Sequence, residues 1–461
     1  MHRLAVLTMT AIRPVSTDRR APWRWLYRLV IPGVAAMIFA VLAMLWHRGP
    51  RTLYFAMLDR LGFVPFRFPF LDIHAVLAAV QCHRLGIDVY RFDPCDVLGR
   101  VHVYSPLWLA IVPHVLDTSA TTAVGLGLDL IFILSLAFVI RPTGPGEALL
   151  CGLIALSPMT VYALERANCD LVIFLLVVAG CVLARMARPW RFGAYAIFLF
   201  AGLLKYYPLV LLALIVRERR RDALILAGFA ALILVGLAGF DHTQLRKALA
   251  NIPAFSYFSD SFSARNLPFG LADNLFGPRL RGAAGLLLLA LLAIVAAGRA
   301  RRTARLLDVS VLNLGSLEEE CLLAGALLMT ACFFAGQNVD YRGIFFVLIM
   351  PGLIRLYRLA EGPPVRRFLA QMIVAVLFVA WEAPVRAAVH RLAVAIFTGG
   401  IGLRIDLLFW LGRELLWWWL IAGLAAIILA FAARWPLRSS CRWPRLDMAV
   451  PAAIPRAKRS A

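Results

Sequence analysis

Four short stretches of this chain place ionisable side chains where apolar runs begin or end. In LDIHAVLAAVQCHRLGIDVY (71–90) an acid, Asp72, stands on the opening turn of a helix too polar to cross a bilayer. A carboxylate at a membrane surface, facing an apolar cavity, has the chemistry of a general base. The plainer reading is a helix cap that accepts a backbone N–H at the positive helix end. In LLKYYPLVLL, Lys205 lies between two apolar half-helices and precedes Tyr206, Tyr207 and Pro208. Only three of the 48 basic residues are lysines, so arginine is the default cation and this lysine stands out. A compact ammonium suits a lipid phosphate; snorkelling to the interface is its plainer role. Arg342, in NVDYRG, offers the same chemistry from another turn unless it pairs with Asp340. The turn ERANCD (165–170) packs Glu165, Arg166, Asn168 and Asp170 between two apolar runs. It reads as a wall of a cavity or a head-group site, since ionisable groups at membrane edges are functional candidates, or as a solvated turn with a Glu165–Arg166 pair.

Other residues carry less. His74, His83 and His102 with Asp93 and Asp96 match no tight metal spacing and read as interfacial histidines. Asp88 orders the turn after Gly86, a helix breaker. Trp417, Trp418 and Trp419 read as an interfacial belt or lipid contact. Most of the eight cysteines sit in apolar runs as small hydrophobes. Cys82 and Cys95 share one polar loop, and can pair if that loop is extracytoplasmic.

The elements that must position these groups are membrane helices. The 461 residues are 62% hydrophobic and 16% charged, against about 25% charged in soluble domains. At least ten apolar runs are too long and uniform for an ordinary core, and they do not alternate as barrel strands do. The net charge of +22 comes from arginines clustered in short loops between those runs, which is the positive-inside pattern, with no nucleic-acid motif.

Basic blocks at 19–28, 141–146, 184–193, 217–222, 298–307 and 355–367, with the tail from Arg434, assign one side as cytoplasmic. The first span, Leu29 to Trp46, has no small-x-small cleavage site after it and reads as an uncleaved signal anchor. Residues 119–140 form the return span, so YSPLWLAIVPHVL (104–116) is a short juxtamembrane helix. Paired spans follow at 147–163 with 170–184, 193–204 with 206–216, 223–240 with 281–298, 320–336 with 343–356, and 368–381 with 411–433. The pair at 193–216 is too short for two full crossings and reads as a hairpin of broken half-helices with Lys-Tyr-Tyr-Pro at its tip, which irregular backbone permits only beside a cavity or inside protein.

The expectation is an all-α polytopic membrane protein with about twelve transmembrane helices and both termini cytoplasmic. Residues 1–461 form one membrane domain: cytoplasmic N-terminus 1–28, first outer loop 47–118 with juxtamembrane helices, second large outer loop 241–280, cytoplasmic tail 434–461. A polytopic lipid or glycan transporter or flippase is the rival reading. It would favour two halves with matching broken helices, and no such duplication is evident.

Taken together these segments resemble integral membrane glycosyltransferases of the GT-C superfamily. LDIHAVLAAVQCHRLGIDVY resembles the first-loop signature of that superfamily, and HVYSPLWL the Tyr-Pro-Pro-Leu element, with Ser105 in place of its second residue. ALERANCDLVIFLL resembles the third-to-fourth span turn, LLKYYPLVLL the Lys-x-Tyr-Pro element, and NVDYRGIFFVL the late Tyr-Arg turn. The group is similar to bacterial polyprenyl-phosphate-mannose-dependent mannosyltransferases, glycosyltransferase family 87, also called the DUF2029 group.

The resemblance implies an inverting hexosyltransferase at the outer face of a bacterial inner membrane, in glycolipid or cell-envelope biosynthesis. It implies a polyprenyl-phosphate sugar donor, a lipid or glycan acceptor, surrounding membrane lipids, no nucleic acid, no metal and no cofactor. By matching position, Asp72 would be the general base, and Lys205 and Arg342 would bind the donor phosphate. Tyr104, Glu165, Arg166, Asn168, Asp170, Tyr207 and Tyr341 would form the substrate cavity.

Overall fold

The computed structural model describes residues 24–63, 68–240, 242–259, 261–307, 316–396 and 401–435. Most of the expected cytoplasmic N-terminus and tail therefore lie outside the described residues. The chain is an all-α membrane protein. Its helices are α1 (Arg24–His47), α2 (Arg51–Arg60), α3 (Leu71–Arg84), α4 (Leu107–Ile111), α5 (Thr121–Val139), α6 (Pro145–Ala155), α7 (Pro158–Glu165), α8 (Cys169–Ala184) and α9 (Arg188–Lys205). They continue with α10 (Arg220–Phe240), α11 (His242–Ala250), α12 (Asn266–Leu275), α13 (Arg281–Ala304), α14 (Leu317–Ala335), α15 (Phe346–Leu359), α16 (Pro363–Ala380), α17 (Glu382–Ile396) and α18 (Ile401–Ala432). Helical 3-10 segments run over Tyr207–Arg217 and Asp340–Phe345.

Each of the twelve expected spans is helical, but fewer are long and apolar enough to cross a membrane. Among the described residues six qualify: α1, α5, α10, α13, α16 and α18. The pair α6 and α7 makes a seventh if it counts as one span. The others fall short for local reasons. α8 has 16 residues, Tyr207–Arg217 is 3-10, and α15 has 14 residues with Pro351 inside. α14 begins with three glutamates, and α9 carries Arg188, Arg191 and Lys205.

The run at 147–163 is not one straight helix. α6 and α7 bend by 46°. The break lies at Leu156-Ser157, where Ser157 caps α7 through the Thr160 amide and Pro158 brings no N–H to continue α6. At 193–216 the hairpin forms. α9 ends at Lys205, Tyr206 takes φ 62°, and the 3-10 segment folds back. The two arms touch so closely that a Cβ on Gly202 would meet the Leu209 side chain at 2.5 Å.

Two segments between the expected spans are more structured than loops. Residues 241–280 contain α11, α12 and a two-residue strand, in which Ser261 pairs with Val339 and Phe262 with Asn338. This ladder ties the second large loop to the NVDYRG turn. Residues 382–410, between the expected spans 368–381 and 411–433, hold α17 and the start of α18.

The tryptophan run is a correction. Trp417 is fully buried and stacks on Phe262 at 4.3 Å, and Trp418 is buried against Phe333. This face of α18 packs on α14 and the ladder instead of meeting the lipid interface. His74 and His102 are also buried, not interfacial. His74 bonds Thr121 Oγ1 at 3.0 Å, and His102 sits between the rings of Tyr90 and Tyr104. Asp88 holds Lys247 of α11 at 2.6 Å as well as its own turn.

Candidate active site

Asp72 does not cap its helix. Phe70 occupies the cap position with φ 65°, and no side chain caps α3. The orphan amides find partners elsewhere: the Phe70 amide donates to the Glu165 carbonyl at 2.6 Å and the Asp72 amide to the Arg166 carbonyl at 3.1 Å. The start of α3 is thus docked on the ERANCD turn. Docking leaves the Asp72 carboxylate free for side chains. Arg166 Nη1 donates to Oδ1 at 2.9 Å, and Asn168 Nδ2 donates to Oδ2 at 2.6 Å. Arg100 Nη1 reaches Oδ1 at 3.4 Å.

Arg166 turns to Asp72, and Glu165 accepts from Tyr54 OH at 3.3 Å on the other side of the turn. Asn168 caps α8, accepting the Asp170 amide at 2.9 Å.

Lys205 is buried, not snorkelling. Its Nζ lies 2.8 Å from Asp170 Oδ1 and 3.1 Å from Asn168 Oδ1, with the rings of Tyr104 and Tyr341 at 5.3 and 5.7 Å. Tyr207 OH donates to the same Asp170 oxygen at 2.6 Å.

Arg342 pairs with Asp170 at 3.5 Å, not with Asp340, and donates to Asn338 Oδ1. Asp340 faces Arg413 at 3.6 Å instead. Arg413 is buried among Asp340, Glu382 and Glu414, so it ties the turn to α17 and α18. Gly343 lets that turn approach α7: a Cβ there would meet Met159 Sδ at 2.1 Å.

A cavity of about 980 Å³ opens over this network. Asp72, Tyr104, Arg166, Lys205, Tyr341 and Arg342 line it. Asn168, Asp170 and Tyr207 lie behind the wall and hold the lining side chains, and Glu165 faces a separate apolar pocket with Tyr54 and Trp46. Arg100 and Tyr162 also line the cavity and were not singled out from sequence, and Tyr206, noted there only as part of the Lys-Tyr-Tyr-Pro tip, lines it too. Arg100 reads in sequence as one more basic loop residue. Its signal is Asp96 four residues earlier, which its Nη2 grips at 2.9 Å while the same Nη2 reaches Leu71 O and Nη1 reaches Asp72.

The first loop that carries Arg100 is stapled. Cys82 and Cys95 form a disulfide. Beside it, burial pushes the Asp93 carboxyl up to about 6, against the hydrogen bond from the Cys95 amide. Burial pushes His102 down to about 4.

An acid held by two arginines and an amide, beside a lysine and an arginine sharing a second acid, brings together the groups that moving a proton next to an anion requires. No curated protein and no solved structure matches the chain. The stretch that contains Tyr104, the ERANCD turn, Lys205 and Tyr207, but not Asp72, Tyr341 or Arg342, does have a match. Residues 102–325 fit the model of glycosyltransferase family 87, so the central segment of the chain is similar to that family.

Proposed function

We propose that this chain transfers a sugar, with inversion, from a polyprenyl-phosphate donor to a lipid or glycan acceptor at the outer face of a bacterial inner membrane, in glycolipid or cell-envelope assembly. The observation that carries the reading is that Asp72, Lys205 and Arg342, from three distant parts of the chain, line one cavity. The acceptor hydroxyl attacks the anomeric carbon, and the bond from that carbon to the phosphate oxygen breaks. Asp72 takes the hydroxyl proton. The leaving polyprenyl phosphate gains charge, and Lys205 and Arg342 stand preorganised to meet it. Tyr104 and Tyr341 wall the ammonium from bulk water, which strengthens its pull on an anion. Mannose is the donor sugar that the resemblance favours.

The Cys82–Cys95 disulfide supports an outer placement of the first loop, because such bonds persist in oxidising compartments. The experiment is transfer by membranes containing wild type or Asp72→Asn at matched abundance, supplied in turn with polyprenyl-phosphate mannose, glucose, arabinose and galactose carrying radiolabel. Transfer by wild type that the variant loses supports donor class and base together. Transfer that survives the substitution removes Asp72 as base, and label crossing the membrane unchanged favours a transporter.

A further inference from the structure

We infer that Asn168 is a positioning residue that couples Lys205 to Asp72, so that the charge at the phosphate side of the cavity sets the proton affinity of the base. The inference rests on the reading of Asp72 as base and Lys205 as phosphate cation, and adds a link between them.

The Asn168 side chain is fully buried and lies behind the cavity wall, so it does not touch substrate. Both of its ends are committed. Nδ2 donates to Asp72 Oδ2 at 2.6 Å, and Oδ1 accepts from Lys205 Nζ at 3.1 Å. The orientation of the amide is dictated by charge. Reversed, its carbonyl would face a carboxylate and its NH₂ an ammonium. Lysine polarises the amide from one end, which makes the N–H at the other a stronger donor to the carboxylate. In a buried chain of this kind, a change at one end is felt at the other through the bond as well as through space.

Asp72 also faces other groups. Arg166 and Arg100 pair with its Oδ1. Arg100 is shared with Asp96. Glu165, Tyr162, Tyr104, Tyr341, Cys169 and Asp170 lie close enough to exchange Coulomb energy with it, with one another, or with Lys205. Losing the lysine charge therefore weakens the anionic form of Asp72 by two routes, and only one of them runs through Asn168.

The test is a four-member cycle: wild type, Lys205→Met, Asn168→Ser, and the double variant. Serine keeps the α8 cap, since it is among the preferred capping residues, but is too short to bridge both partners. The proton affinity of Asp72 is read by infrared titration of ¹³C-labelled aspartate carboxylates, with Asp72→Asn as the blank that identifies its band. The acid limb of the transfer rate is followed in parallel. Lys205→Met in wild type should raise the Asp72 midpoint, because the Asn168 N–H that still reaches the carboxylate is no longer polarised by the ammonium. In the Asn168→Ser background the same substitution should raise it by less than about half as much. Equal shifts in both backgrounds mean that the coupling acts through space alone and overturn the inference. The infrared arm decides this even for a protein that transfers no sugar, which is how a failure of the coupling is told from a failure of the glycosyltransferase mechanism.

Discussion

Arg166 holds Asp72 twice: its guanidinium lies 2.9 Å from Oδ1 and its carbonyl accepts the Asp72 amide at 3.1 Å. The helix that carries the acid and the turn that carries its partners are therefore one unit, although 94 residues separate the two. The consequences of this docking are measurable.

Asp72→Asn keeps the size of the side chain and the acceptor for Arg166, so the fold survives. Transfer should fall by roughly 10³-fold, the range for removing a positioned general base. Tryptophan fluorescence and elution volume report the fold, and label transfer reports the chemistry. A variant that keeps a tenth of wild-type transfer would rule Asp72 out as base.

Lys205→Met strips the ammonium from Asp170, which is fully buried. Leaving a buried carboxylate short of a partner is expensive, so the folded yield should drop. Combining it with Asp170→Asn should restore the yield, while transfer stays down roughly 100-fold because the phosphate cation is still missing. Lys205→Arg should not restore transfer either, since a wider guanidinium does not fit a point-charge site walled by two tyrosines. If the double variant transfers normally, Lys205 serves the fold and not the donor.

The disulfide holds the segment on which Arg100 reaches Asp72. Cys82→Ser with Cys95→Ser opens a loop with a sequence separation of 13 and should cost about 3 kcal/mol of stability. Because Asp96, next to Cys95, orients Arg100, transfer should also fall by roughly tenfold at temperatures where the variant is fully folded. A lowered melting temperature with unchanged transfer would show that the arm stabilises the loop without positioning the acid.

Asp93 and His102 sit in the same loop and bias stability in opposite directions. Asp93 is raised to about 6 in the fold, so its contribution is present at low pH and is lost as pH rises from its ordinary value through about 6. His102 is lowered to about 4, so its contribution is present above its ordinary value and is lost as pH falls toward about 4. Between about pH 4 and 6 the two slopes oppose. Asp93→Asn should leave the rising slope of His102 exposed, and His102→Gln the falling slope of Asp93. Melting temperatures of the two variants across that interval check the sign of each; parallel profiles would refute both assignments.

Much of the architecture is written locally. Apolar runs interrupted by arginine blocks place the helices, and Lys-Tyr-Tyr-Pro marks the tip of a broken hairpin, whereas the bend at Ser157-Pro158, made by a cap and a missing N–H, lies within a run that reads as one span. The acid on the first loop, the polar turn at 165–170, the lone lysine and the late arginine are visible because charge at the edge of an apolar run is costly and rarely idle.

What the sequence could not decide is which charge meets which. Local reading pairs Glu165 with Arg166 and Arg342 with Asp340. The tertiary structure pairs Arg166 with Asp72 and gives Asp170 to both Lys205 and Arg342, while Asp340 goes to Arg413. A buried ion takes the partner that packing brings within hydrogen-bond reach, and here the docking of α3 on a distant turn and the two-residue ladder at Ser261–Phe262 set that geometry. The same holds for Trp417: its composition fits an interface, and only the packing of α18 against α14 and Phe262 puts it in the core.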